Sequence, residues 1–349
     1  MKKLLLFTIL TISLGLKAQN LLTENSTALS VGNVGTDLTG VTQGQGGWLT
    51  TASGGANTDF QIVNKGGVYG NAIQITGSAV ATSTKFMTKN ISANWTSRTS
   101  GNDIAQIEFN FFTGPVSTSK NTMRITLYDS AARTKMLAGL FILMDTKEVR
   151  GLAYLDPTTL GGTGAIGNYS LTLGGTAATP AALILSPDTW YRFGYSFNFA
   201  TGEVKFREVM SSLFDRSFAC AASGVNPIQI DIIGTAGTGN LVSSIGVFDN
   251  ILIKASATDT LLGTEKVSLD SSIFSFSPNP TSDFVNISNS DNIKVSSVKI
   301  TDLNGRVVKQ NNFDSVSDIK INVSDLSSGI YMMNINSNEG SVTKKIIKN

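Results

Sequence analysis

The chain has 349 residues, 27 Lys plus Arg against 25 Asp plus Glu, a formal net charge of +2, one cysteine and no histidine. That length accommodates two domains with separate cores, and the near-neutral balance argues against a nucleic-acid partner, which needs a concentrated cationic surface. A lone Cys220 excludes an intrachain disulfide and a cysteine-built metal site, and the lack of histidine excludes Ser-His-Asp and Cys-His triads and nearly all zinc or copper sites.

Residues 1–18 begin with Lys2 and Lys3, continue through an apolar run from Leu4 to Leu16 and end at Ala18. This is the order of a cleavable signal peptide read by the Sec machinery, with cleavage expected after Ala18. The run is too short to span a bilayer with margin. Its removal takes away three lysines and no acids, leaving 24 − 25 = −1.

Residues 19–254 are poor in charge and rich in Gly, Ser, Thr and Asn, with short alternating runs between glycine-bearing turns. That pattern predicts an all-β domain. Strands are predicted at 72–76, 104–112, 122–128, 138–144, 190–199, 203–208, 228–233 and 246–254, and no long segment holds helical periodicity. In the run Trp190-Tyr-Arg-Phe-Gly-Tyr-Ser-Phe-Asn-Phe199 the odd positions are aromatic and the even ones mostly polar, so one face is core and the other wet. The turn Asn198-Phe-Ala-Thr-Gly-Glu203 predicts a hairpin whose second strand buries Val204 and Phe206. The Gly/Thr/Ala-rich stretch 158–182 reads as a long loop that can border a binding site. Gly162-Thr-Gly164-Ala-Ile-Gly167 has dinucleotide-fingerprint spacing but no preceding strand and no following helix, which rules that reading out. Cys220 reads as a small buried hydrophobe.

Leu185-Ser-Pro-Asp-Thr-Trp-Tyr-Arg-Phe193, the Asn198–Glu203 turn and Phe248-Asp-Asn-Ile-Leu-Ile253 resemble concanavalin-like jelly rolls, including laminin-G-like and related carbohydrate-binding sandwiches. The resemblance implies a jelly-roll β-sandwich over 19–254 with polysaccharide as a possible partner. Alternation places Gln106, Glu108 and Asn110 together on a polar strand face, where they offer hydrogen bonds to sugar hydroxyls; a solvated strand face is the simpler alternative. Only Glu108 of the three is an acid, and a retaining glycosidase needs two carboxyl groups about 5–5.5 Å apart. Trp48, Trp95 and Trp190 are candidate stacking platforms for a pyranose ring. Trp190 shares the wet face with Arg192 and Asn198, and Trp95 lies in a loop-like stretch. Asp156 and Asp249 with nearby carbonyls offer calcium a place, without loop-type ligand spacing. No other cofactor is expected.

Residues 255–273 are small, polar and aperiodic, and read as a linker. From 274 to 349 alternation resumes at 284–287, 295–300, 319–323, 330–335 and 342–348, which predicts a small immunoglobulin-like sandwich. Pro278 and Pro280 flank Asn279 and predict a stiff, non-pairing entry. Asn304-Gly305 is a hairpin signal, Gly329 predicts a turn and Tyr331 a core anchor. Together with the basic ending Lys344-Lys345-Ile-Ile-Lys348, these motifs resemble the type A C-terminal sorting domain of the type IX secretion system of Bacteroidetes. The resemblance implies transit through the periplasm, recognition by the type IX translocon and its outer-membrane shuttle protein, and a final place at the cell surface or outside it. The expected function is therefore that of an exported, non-catalytic binding module for polysaccharide or another surface partner. The alternatives are a polysaccharide-cleaving enzyme on a jelly roll, and a structural adhesin or gliding-associated surface protein.

Overall fold

A computed structural model describes residues 18–349 apart from 53, 177, 209–212, 262–273, 290–294, 304–305, 317–318 and 338–339. The expected signal peptide, except Ala18, and the Asn304-Gly305 turn lie outside the described residues.

Alternation with period two builds two facing sheets, one of nine strands and one of eight. Ile104–Phe112 lies inside the nine-stranded sheet, paired antiparallel with Trp190–Asn198 on one side and Ser244–Ser256 on the other. Its residues Ala105, Ile107, Phe109 and Phe111 all point into the core and are fully buried. From the eight-stranded sheet, Asn121–Tyr128 sends Met123, Ile125 and Leu127 into the same core. Phe109 meets Phe193, Tyr195 and Phe248 at ring-centroid distances of 5.9, 6.3 and 6.1 Å, the tilted packing that aromatic quadrupoles favour. The predicted hairpin forms in the expected register, with Phe197 opposite Val204 and Tyr195 opposite Phe206. Gly151, on the facing sheet, leaves room for Phe206: a Cβ there would stand 2.9 Å from the ring. The architecture is a jelly-roll β-sandwich.

Three segments depart from their expected form. Residues 158–182 hold a short 3-10 turn at Pro157–Leu160 and a strand, Gly167–Thr172, on the edge of the eight-stranded sheet. Trp95 lies in a five-residue helix, Ser92–Thr96, rather than in an open loop. The sandwich also continues into the stretch read as linker. The strand runs on to Ser256, and Leu261 is buried because Ser196, Arg207 and Gln106 tie down Asp259, Leu261 and Thr260. Cys220 is buried, and burial pushes its thiol up.

The tail forms a second sandwich with its own core. Its three-stranded sheet joins Phe274–Ser277, Phe284–Asn289 and Ile319–Asn322, and its four-stranded sheet joins Val307–Val316, Val295–Thr301, Gly329–Ser337 and Gly340–Lys348. Phe274, Val285, Ile287, Val298, Met333 and Ile346 are among the residues that close the core. Tyr331 is buried as expected, and its hydroxyl donates to Ser327 O at 2.9 Å. Gly329 opens its strand, paired with Lys348, instead of forming the turn before it. The Pro278-Asn279-Pro280 segment is not free of pairing. Asn279 Nδ2 donates to Lys345 O at 3.1 Å, its Oδ1 accepts from Ile347 N at 2.9 Å, and Thr281 forms a parallel bridge to Lys348. A side-chain amide carries the same donor and acceptor as a peptide group, so Asn279 supplies strand-like bonds where its proline neighbours have no amide hydrogen.

Candidate functional site

On the outer side of the nine-stranded sheet, Trp190, Arg192, Gly194 and Ser196 stand opposite Phe112, Asn110, Glu108 and Gln106. Alternation sets Gln106, Glu108 and Asn110 on the polar face of one strand and Trp190 and Arg192 on the polar face of another, each expected to be wet; the pairing of the two strands brings them together. Along the first strand the face is covered: Gln106 is 0 %, Glu108 1 % and Asn110 7 % exposed. Over Gln106 the cover is the end of the last long strand of the sandwich and the chain that follows it. Gln106 Nε2 donates to Ser256 Oγ, and its Oε1 accepts from Thr260 N at 3.1 Å. Glu108 lies between two cations, 2.7 Å from Arg192 Nη2 and 2.9 Å from Lys254 Nζ. Arg192 Nη1 also reaches Asn110 Oδ1 at 3.5 Å.

Asp249 faces Asn110 from the other neighbouring strand, at a bulge where Asn250 takes φ +49°. Burial raises its carboxyl to about 7, against the opposing pull of hydrogen bonds from Asn250 and Ser26 and of the Arg192 charge. Asp156, the other proposed calcium ligand, instead caps the Pro157–Leu160 turn by accepting from Thr158 N. Among the described residues no three Asp, Glu or Cys side chains converge into a metal-binding group.

The face opens at its aromatic corner. Trp190 and Tyr69 stack in parallel, with centroids 3.9 Å apart and planes 11° apart. Phe112 lies 5.3 Å from Trp190, and Lys65 Nζ stands 4.4 Å over the Phe112 ring. All four side chains are partly exposed. Arg192 borders this corner one step along its strand and keeps 13 % of its side chain exposed. Trp95, expected to be an open platform, is 1 % exposed and donates its indole NH to Asn226 Oδ1 at 2.9 Å; its helix turns the ring into the core. Trp48 is fully buried, with its indole NH on Glu24.

Sequence reasoning missed Tyr69, Lys65, Phe112 and Lys254. A local signal existed for Tyr69: it sits in Gly66-Gly67-Val68-Tyr69-Gly70, where Gly66 and Gly70 have φ of +70° and +49°. An aromatic residue held between such glycines is presented by a tight turn rather than by a strand. Lys254 had none, because its partner Glu108 lies far back in the sequence.

Residues 275–349 match the secretion system C-terminal sorting domain family. The chain is thus cargo of the type IX secretion system, and its tail directs it to the cell surface or beyond through recognition by that machinery. No curated protein matches the chain. Among solved structures, the CBM2 module of the Lactobacillus casei BL23 phage J-1 evolved Dit is 11 % identical, with 70 % of this chain and 99 % of that one covered and a TM-score of 0.41. The carbohydrate esterase vb_24B_21 from the Shiga toxin-encoding bacteriophage phi24B is 15 % identical, with 65 % and 100 % covered and a TM-score of 0.39. The botulinum neurotoxin serotype C1 binding domain is 10 % identical, with 84 % and 68 % covered and a TM-score of 0.40. These scores assign no ligand to this chain.

Proposed function

We propose that the jelly-roll sandwich is a non-catalytic binding module, exported by its tail, which holds an uncharged stretch of polysaccharide at the Tyr69–Trp190 corner. The stacked pair beside Arg192 carries this reading. The two rings brace one another and both stay partly exposed, so the pair presents a rigid aromatic surface of the kind that suits the apolar face of a pyranose. Arg192 is fixed by Glu108 and Asn110, so it supplies directed donors without loose rotamers to immobilise on binding. Glu108 and Asn110 already engage two of the Arg192 donors, and the remaining ones suit hydroxyl groups. A glycan array probed with the full secreted chain tests the module. Binding of a neutral glycan that Trp190→Ala and Tyr69→Ala each weaken about tenfold or more supports it. Binding that neither substitution weakens removes the corner, and binding to cells without glycan selectivity favours a structural adhesin.

One observation favours a second reading. The carboxyl of Asp249 is held near 7, a value suited to a general acid, and Glu108 stands on the neighbouring strand. Both side chains are almost completely buried, so substrate could not reach them in this arrangement, and binding remains the better account. Release of reducing ends from a glycan, lost in both Asp249→Asn and Glu108→Gln, would reverse that preference.

A further inference from the structure

The outer side of the eight-stranded sheet carries a different chemistry. Its register sets one row across five neighbouring strands: Arg150, Phe141, Arg124, Ile233 and Phe86. Strands are about 4.8 Å apart, so Arg150 and Arg124 are rooted roughly 10 Å apart with Phe141 between them, the span of two pyranose rings. All of this row except Ile233 is partly exposed.

Three arginines serve this face, and two of them have carboxylate partners. Arg150 is bidentate on Glu148, with bonds of 2.7 and 2.9 Å. Arg133, held at φ +58° in the hairpin after Tyr128, folds back over the sheet. It binds Asp231 Oδ2 and, at 3.0 Å, Thr88 Oγ1, and its guanidinium lies 4.1 Å over the Phe86 ring. Arg124 differs. Its Nη2 donates to the neutral Thr235 hydroxyl at 3.0 Å, its Nε is shielded from water and has no acceptor, and among the described residues it has no ion pair. Arg124 as a whole is partly exposed, so a guanidinium without a carboxylate partner faces the open row, where an anionic acceptor would be favoured.

We infer that this face binds an acidic polysaccharide, with a carboxylate or sulfate of the polymer received by Arg124 and a sugar ring lying against Phe141, since Arg133 already covers Phe86. Guanidinium and carboxylate or sulfate make charge-assisted bonds, and Phe141 favours a sugar ring over a bare polyanion. Nucleic acid is the poorer fit, since the secreted chain, at 24 − 25 = −1, lacks the extended cationic surface that phosphate backbones need. This site is distinct from the Tyr69–Trp190 corner and independent of the reading given there.

The test is titration of the full secreted chain with polygalacturonate, alginate and dextran sulfate, with methyl-esterified polygalacturonate and duplex DNA as comparisons. The expected result is binding to at least one acidic glycan that weakens with salt, is lost with the ester, and falls about tenfold or more in Arg124→Gln. Arg124→Lys should recover part of it, because the charge returns without the fork. Thermal melting of each variant separates lost binding from lost folding. If Arg124→Gln unfolds, Phe141→Ser reads the same face. No binding to any of the three glycans, equal binding of the ester, equally tight binding of DNA, or binding that falls in Trp190→Ala and not in Arg124→Gln would each overturn the assignment.

Discussion

The two outer faces of the sandwich arise from the same alternation and end in opposite states. On the nine-stranded sheet, Glu108 is paired with Arg192 and Lys254, and Gln106 beside it is covered by Ser256 and Thr260. On the eight-stranded sheet, Arg124 sits on a partly exposed row with no counter-charge among the described residues. A strand pattern states which side chains leave the core. It does not state whether solvent, a ligand or the chain itself meets them on the far side. Where the chain does so, polar residues become internal structure. Where it does not, the same residue types remain open to a partner.

Substitutions can break this contrast, and the largest effect belongs to the covered face. Glu108→Gln should destabilise the chain by about 3–5 kcal/mol in urea unfolding, since it leaves two cations close together with their counter-charge removed. A loss below about 1 kcal/mol would mean that this face is hydrated after all. Next comes Asp249. Its folded carboxyl titrates near 7, above its ordinary 3.8, so the native state holds the proton more tightly than the unfolded chain. Its contribution is fully present below about pH 4 and is lost as pH rises through 7. Asp249→Asn should therefore remove a decline of roughly 4 kcal/mol between pH 4 and 8, measured as the difference between variant and parent unfolding curves. At the open corner, Trp190→Ala should weaken glycan binding about tenfold, or ~1.4 kcal/mol, in calorimetry. The smallest effect belongs to the other face. Arg124→Gln should change stability by less than about 1 kcal/mol, and a small gain is the expected direction, since it removes a cation that lacks a partner. A large loss there would show that Arg124 is structural.

Much of the fold was legible because its rules are local. Strands from Ala72 to Lys254 announced themselves by alternation, as did the Trp190–Glu208 hairpin. The tail's motifs pointed to a sorting domain before any sandwich was seen. The candidate site was only half legible. Alternation set Glu108 with Asn110 and Trp190 with Arg192, each pair on the polar face of its own strand, and only the pairing of the two strands brought the four together. Trp95 was misread because a five-residue helix is too short to show a helical period and its Ser/Thr/Gly surroundings look like a loop. The Pro278–Pro280 segment was misread because proline geometry predicts lost amide hydrogens but says nothing of Asn279 replacing them through its side chain.

By itself the sequence determined the all-β class, the identity of the inward-facing residues, the export address and the exclusion of histidine chemistry, all of which follow from composition and from patterns spanning a few residues. Tertiary structure alone decided which polar face stays open. Gln106 and Glu108 are covered by Thr260 and Lys254, roughly 150 positions later, and Tyr69 meets Trp190 from the far side of the molecule's first half. Those pairings depend on how the chain returns to the sheet, and a period of two residues carries no record of that return.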